Sequence, residues 1–439
     1  MARKIFISVL GSTNYFQCKY QLGNFISEDC FFVQTATLEL LKVKESWNET
    51  DRCYVLLTKG DRGSKKNNWE DCPGKHYEHG LKYLLNEMKL PCPIIPKEID
   101  NEFDIWEIFN ILYGLVDEDY DDYDGYELYI DITHSFRYIP MLLVVFTNFA
   151  KFMRQTIVKS ITYGNWEARN PETNIAPFID LTPLVALQAW TAAADQFLST
   201  GAIDKMSDIM NPITNFDAKN PDKRKTEVRK FMGNLRRMIG ERQTCQGYDI
   251  IMSDSVNKVK TGINKARTNI RILDAEGMSP FERILDKIDN SVSQFNEYED
   301  ILNVFRAADW CHRHGMHQQA LTLLREGILT YLMDFYEDAN AWFLNHDNRE
   351  NFKNEILEEA YRQNPTDRIH QERNDKSNWT FRNYFQNESD NELAEIYIHL
   401  TDIRNQYNHG GMLSPGKTPE EIISSIETSL QQVKNILEY

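Results

Sequence analysis

At 439 residues, with 41% hydrophobic, 26% charged and 12% aromatic residues, the chain has a globular composition and excess length for one core; this excludes pervasive disorder and predicts about two or three domains. A formal charge of −17 excludes broad attraction to nucleic-acid backbone, because phosphates meet a repulsive mean field and any polyanion needs a local basic patch. The cysteines (Cys18, Cys30, Cys53, Cys72, Cys92, Cys245, Cys311) are scattered without a CxxC pair, which fits a reducing compartment, so the expected location is cytoplasmic.

In chain order, "MARKIFISVLGS" joins two basic residues to a short apolar run that meets Gly11 at once, and it reads as a strand and not a secretion signal. Near-continuous apolar runs recur at "KIFISVL", "RCYVLLT", "YELYIDIT", "VKSITYG" and "APFIDLT". Between them, "HYEHGLKYLLNEM" and "FDIWEIFNILYGLV" carry apolar residues at helical spacing. Runs without inside/outside alternation predict strands covered on both faces, hence an α/β, Rossmann-like domain with a parallel-rich sheet over residues 1–190. The apolar run from Ile139 to Met153 is short and broken by Asn148 and Lys151, so a buried helix is predicted and no membrane partner. The acidic stretch 117–125 lacks calcium-loop spacing and reads as a solvated loop.

After "LTPLVALQAW" the periodicity is wholly helical, predicting an all-α connector over 191–298 and an all-α terminal domain over 299–439. A basic run (Lys219, Lys223, Arg224, Lys225, Arg229, Lys230, Arg236, Arg237, Arg242) has two readings, a guide for RNA or a solvated helix face. Cys311, His312, His314 and His317 crowd together in "CHRHGMH", but the surrounding spacing is that of an amphipathic helix, and no metal site is expected. The last helix should open at Thr418-Pro419-Glu420-Glu421, with a threonine cap, a first-turn proline and early acids.

In open parallel sheets ligands bind beyond the carboxyl ends of the strands. Those ends are unusually polar here: Gly11-Ser12-Thr13-Asn14-Tyr15, Thr58-Lys59-Gly60-Asp61-Arg62, Asp131-Ile132-Thr133-His134-Ser135-Phe136-Arg137 and Tyr163-Gly164-Asn165-Trp166. Gly11, Ser12, Thr13, Asn14, Lys59, Thr133, His134, Ser135, Phe136 and Arg137 are therefore the candidate ligand contacts. Hydroxyls, amides and cations suit phosphate, and aromatic rings suit bases. Without GxGxxG, GxxxxGK[ST] or GxSxG, the chain does not read as a nicotinamide enzyme, a P-loop NTPase or a serine hydrolase. Taken singly, each loop also reads as an ordinary turn or cap.

"DIRNQYNHGG", residues 402–411, gathers Arg404, Asn405 and His409 before two glycines. On a helix Asn405 and His409 lie one turn apart, and the macrodipole at a helix end favours the imidazolium. A helix end dressed with polar residues is the alternative.

With "VLGSTNY", "DITHSFR" and Arg404-Asn405 to His409 in this order, the chain resembles the CRISPR-associated CARF-HEPN ribonucleases of type III systems over nearly its whole length. The resemblance implies a CARF domain that binds a cyclic oligoadenylate, most often cyclic tetra-adenylate, with hexa- or tri-adenylate as alternatives. It implies that 299–439 is a HEPN domain, and that two copies in a homodimer or higher oligomer form one metal-independent site for single-stranded RNA with Arg404, Asn405 and His409 catalytic and no cofactor. It leaves open whether the CARF domain degrades its own ligand, for which Ser12, Thr13, Asn14 and Lys59 are candidates. Rival readings are a CARF regulator without nuclease activity and a metal-dependent nuclease. The acidic charge and the lack of a helix-turn-helix predict no DNA partner.

Overall fold

The computed structural model describes residues 2–71, 75, 77–100, 104–117, 125–134, 138–214, 222–273, 279–336, 344–363, 381, 384–408, 412 and 416–439. The chain divides into two compact units, Met1–Ala189 and Trp190–Tyr439.

The first unit is built on one eight-stranded sheet of β1 (Arg3–Val9), β2 (Lys19–Leu22), β3 (Phe25–Ile26), β4 (Arg52–Thr58), β5 (Ile94–Ile99), β6 (Tyr126–Asp131), β7 (Ile157–Gly164) and β8 (Ile175–Asp180), in the order β3-β2-β8-β7-β6-β1-β4-β5. The five strands from β7 to β5 run parallel, β8 lies antiparallel to β7, and β2 and β3 extend that edge as a hairpin. This is the expected parallel-rich α/β sheet. Apolar runs without alternation arise because both faces are covered. Ile5, Ile7, Val9, Tyr54 and Leu56 join one buried cluster, while Phe6, Leu10, Cys53, Val55 and Leu57 join another. Helices α4 (Ile105–Asp117) and α5 (Tyr138–Arg154) close the first face; α1 (Val33–Leu40) and α3 (Leu81–Glu87) close the second, with the short α2 (Val43–Ser46) between them in sequence.

Three strands carry too little pattern to be read from the sequence. β2 and β3 are a short hairpin turning through Gly23 at φ +56°, and β5 contains Pro96 and two charges, which only an edge strand tolerates.

The second unit is helical among its described residues. It continues from α6 (Pro183–Thr200), which crosses the division, through α7 (Asp204–Ile213), α8 (Lys223–Gln243), α9 (Gly247–Met252), α10 (Asp254–Leu273), α11 (Ser279–Val292), α12 (Leu302–Arg313), α13 (His317–Tyr336), α14 (His346–Gln363), α15 (Glu388–Asn408) and α16 (Pro419–Leu437). One buried cluster takes residues from Trp190 on α6 to Val433 on α16. The expected opening of α16 is present as a complete capping box between Thr418 and Glu421, with the proline in the first turn.

Candidate functional site

Parallel pairing puts the carboxyl ends of β4, β1, β6 and β7 on one edge of the sheet. The register aligns Ser8 with Val55 and Asp131, and Asp131 with Thr162. The polar loops that follow therefore start from adjacent strands.

Asp131 ties three of these strands together. Its buried carboxylate accepts from Ser8 Oγ (2.7 Å) on β1 and from the backbone N–H (3.1 Å) and hydroxyl (2.5 Å) of Thr133. Thr133 Oγ1 in turn accepts from the Gly164 N–H at the end of β7 (2.8 Å), and Ser8 Oγ accepts from Gln34 Nε2 on α1 (3.1 Å). Burial raises the Asp131 pKa despite these donors, because desolvation penalises the charged form. Thr133 is thus fixed in rotamer and position.

His134 follows directly. Its ring meets Tyr15 edge-on at 4.4 Å between centroids, and its Nε2 is closed to solvent without a hydrogen-bond partner among the described residues. Burial lowers its pKa to about 4, so at neutral pH it presents an uncharged imidazole. Gly11 lies against the same pair: a Cβ there would stand 2.6 Å from Tyr15 Oη and 3.3 Å from His134 Cβ. Only glycine lets the loop after β1 approach this closely. Burial also raises the Tyr15 phenol pKa.

The loop holding Ser12, Thr13 and Asn14 is fastened from a distance. Asn68 is fully buried in a π-helical turn, Lys65–Trp69, and its Nδ2 donates to the carbonyls of Gly11 (2.6 Å) and Thr13 (2.9 Å). Its Oδ1 accepts from Lys75 Nζ (2.9 Å) and from the Tyr77 hydroxyl. Thr13 and Asn14 remain exposed and Ser12 half-buried. Neither Asn68 nor Lys75 is legible from sequence spacing. The signal available was the polar π-helical turn itself, a geometry enriched at functional sites.

Lys59, at the end of β4, is placed otherwise than a phosphate clamp would need. Its ammonium is paired with Asp100 and with Glu98 (3.1 Å), both following from the edge strand β5, and these partners raise its pKa. Lys65 shares Glu98, and Lys66 pairs with Asp61 (2.7 Å). Ser135, Phe136 and Arg137 lie outside the described residues.

In the second unit, α15 buries Leu393, Ile396, Tyr397, Leu400 and Ile403 and leaves Arg404 exposed near its end. Arg404 Nη1 donates to Asn405 Oδ1 (3.3 Å), so the two are neighbours on one surface. His409, Gly410 and Gly411 lie outside the described residues. Beneath this end, the nearly buried Arg325 of α13 donates to Thr401 Oγ1 (3.0 Å) and Tyr397 Oη (2.6 Å), one and two turns before Arg404. Sequence reasoning did not single out Arg325, since a lone arginine on an amphipathic helix carries no signal of depth.

The basic run on α8 is largely tied down. Arg224 pairs with Asp222, Lys230 with Glu227 and Arg237 with Glu241, while Arg242 is fully buried over the Phe295 ring at 4.2 Å. "CHRHGMH" is the turn between α12 and α13, with Gly315 at φ +73° and Cys311 in the core; His312 and His317 meet at 3.3 Å through their Nδ1 atoms. Among the described residues no three His, Cys, Asp or Glu side chains group as metal ligands, and no helix is long and apolar enough to cross a membrane.

Residues 5–166 match the family described as "CRISPR system endoribonuclease Csx1, CARF domain". The first unit is a CARF domain, and its sheet and strand-end loops are those of that match. A 110-residue stretch is 36% identical to the CRISPR-associated protein MJ1674 of Methanocaldococcus jannaschii; it makes up 25% of this chain and spans only 17% of that relative. Among solved structures, Enterococcus italicus Csm6 bound to cyclic hexa-2'-fluoro-hexa-dAMP aligns over 99% of this chain and 94% of its own. Its 12% identity and TM-score of 0.43 are too low to bear on fold or ligand.

Proposed function

We propose that this chain is a cyclic-oligoadenylate-activated endoribonuclease that cleaves single-stranded RNA without a metal ion in type III CRISPR antiviral defence. The observation that carries the reading is the strand-end cluster of the CARF domain, where Gly11 to Asn14 and Thr133-His134 converge on adjacent strands with their backbone locked by Asn68 and Asp131. Rigid loops rich in hydroxyls and amides suit a ligand with repeated phosphates. A neutral His134 adds a hydrogen-bonding ring with no charge to desolvate.

Cleavage is assigned to α15. RNA supplies its own nucleophile, the 2′-hydroxyl, so the protein needs proton transfer and a cation for the phosphorane. The exposed Arg404 offers a planar fork for the scissile phosphate, Asn405 orients that fork, and His409 transfers protons. One such set supplies half of what phosphoryl transfer uses, and a second copy supplies the rest.

An uncharged stripe on α5 supports the pairing of copies. Met141 (71% exposed), Val145 (60%), Phe149 (38%) and Phe152 (84%) share one face with Asn148, and Trp106 of α4 (70%) adjoins them through Phe109. On a chain of −17, a patch free of like charges is where two copies approach without repulsion. Apolar patches of this kind mark interfaces.

Incubation of the purified chain with labelled single-stranded RNA and each cyclic oligoadenylate in turn tests the reading. Activation by one ring, persistence in EDTA, a 2′,3′-cyclic phosphate on the upstream product, and loss in Arg404→Ala and in His409→Ala are expected. A 3′-hydroxyl product or parental activity in His409→Ala overturns the chemistry. A monomer by light scattering with and without activator overturns the composite site.

A further inference from the structure

We propose that Phe16, Trp166 and Arg169 form a stacking platform that receives a purine base of the ligand, an inference that rests on the strand-end cluster being a nucleotide site. Phe16 leaves the loop after β1 with 55% of its surface exposed, and its ring lies nearly parallel to that of Trp166, 26° between planes and 5.8 Å between centroids. The Arg169 guanidinium sits 5.1 Å from the centre of the Trp166 ring. Three flat π surfaces from two loops therefore lie together.

The platform is built and not a chance contact of mobile side chains. Arg169 Nη1 donates to Asn174 Oδ1 (2.5 Å), and Asn174 Nδ2 donates to the carbonyl of Gln17 (3.1 Å), next to Phe16. The Lys19 N–H donates to the Asn174 carbonyl (3.0 Å), and Asn165 caps the short turn that carries Trp166. Both loops are thus cross-tied around the rings, with Asn174 itself in the left-handed region at φ +58°.

Its position gives it a ligand. Gly164, whose N–H fixes Thr133, precedes Trp166 by two residues, so the Cα atoms are at most about 7.6 Å apart. That is the scale separating the phosphate and base of one nucleotide. With a phosphate at Thr133 and the exposed amides of the 11–14 loop, the attached base reaches the open face of Phe16. Bases stack on aromatic rings irrespective of hydrogen-bonding edge, and a guanidinium adds cation–π attraction. A purine offers the larger face, so stacking here discriminates by ring size.

Equilibrium binding of labelled cyclic tetra-adenylate, and of its tetra-uridylate counterpart, to the full chain and to Phe16→Ala, Phe16→Leu and Phe16→Trp tests the platform. Phe16→Ala and Phe16→Leu should each lose roughly 10-fold or more in affinity for the adenylate ring, with a smaller loss for uridylate, and Phe16→Trp should restore it. Because the side chain is more than half exposed, the melting curves should coincide and serve as the fold control. Tight parental binding with unchanged affinity in Phe16→Ala overturns the platform and spares the nucleotide reading. Failure of the parent to bind any cyclic oligoadenylate overturns both.

Discussion

Asn68 provides the most direct test of how the strand-end loops are held. Asn68→Ala removes two donated bonds, to Gly11 and Thr13, and strips Lys75 and Tyr77 of a shared acceptor. Buried neutral bonds contribute about 1 kcal/mol each and bonds to a charged partner somewhat more, while the loop carbonyls regain water because Thr13 is exposed. The net cost should be about 2–3 kcal/mol, which in a unit of this size lowers the melting transition of the first unit by roughly 5–10 °C. Calorimetry resolves that transition, and titration with cyclic oligoadenylate should show weakened binding because the 11–14 loop is released. Asn68→Asp sharpens the argument: it keeps the acceptor for Lys75 and Tyr77 but sets a carboxylate oxygen against two carbonyls. It should be no better than alanine. If Asn68→Asp melts and binds like the parent, donation to the loop is not what positions it.

Gly11→Ala should abolish ligand binding by driving a methyl to 2.6 Å from Tyr15 Oη, and adding Tyr15→Phe, which removes that oxygen, should recover part of it in a binding titration. Because His134 titrates near 4 in the folded chain and near 6.5 unfolded, the unfolded state takes up the extra proton, and stability should fall by up to about 3 kcal/mol as pH drops from 6.5 toward 4. The His134→Phe variant should lack that part of the acid limb in denaturant titrations against pH. Arg242→Met should leave the second unit as stable or raise its melting temperature, since the buried guanidinium has Nε and Nη2 without hydrogen-bond partners among the described residues and burial lowers its pKa to about 10. Thr418→Ala should cost about 1 kcal/mol through the lost cap of α16, read by chemical denaturation.

The sequence by itself determined the strands with two buried faces, the crossover helices and the cap of α16, because each depends on periodicity or on residues within a few positions. It also put Gly11 to Tyr15 and Thr133-His134 at strand ends, since polarity changes abruptly where an apolar run stops. Tertiary structure alone decided what those residues meet. Asn68 reaches Gly11 across 57 positions, Lys59 is drawn to carboxylates following from an edge strand that its proline conceals, and Arg242, indistinguishable in sequence from the solvated cations before it, is in the core. Such pairings depend on which distant loops a sheet order makes neighbours. A one-dimensional pattern records the period of burial but not the partner.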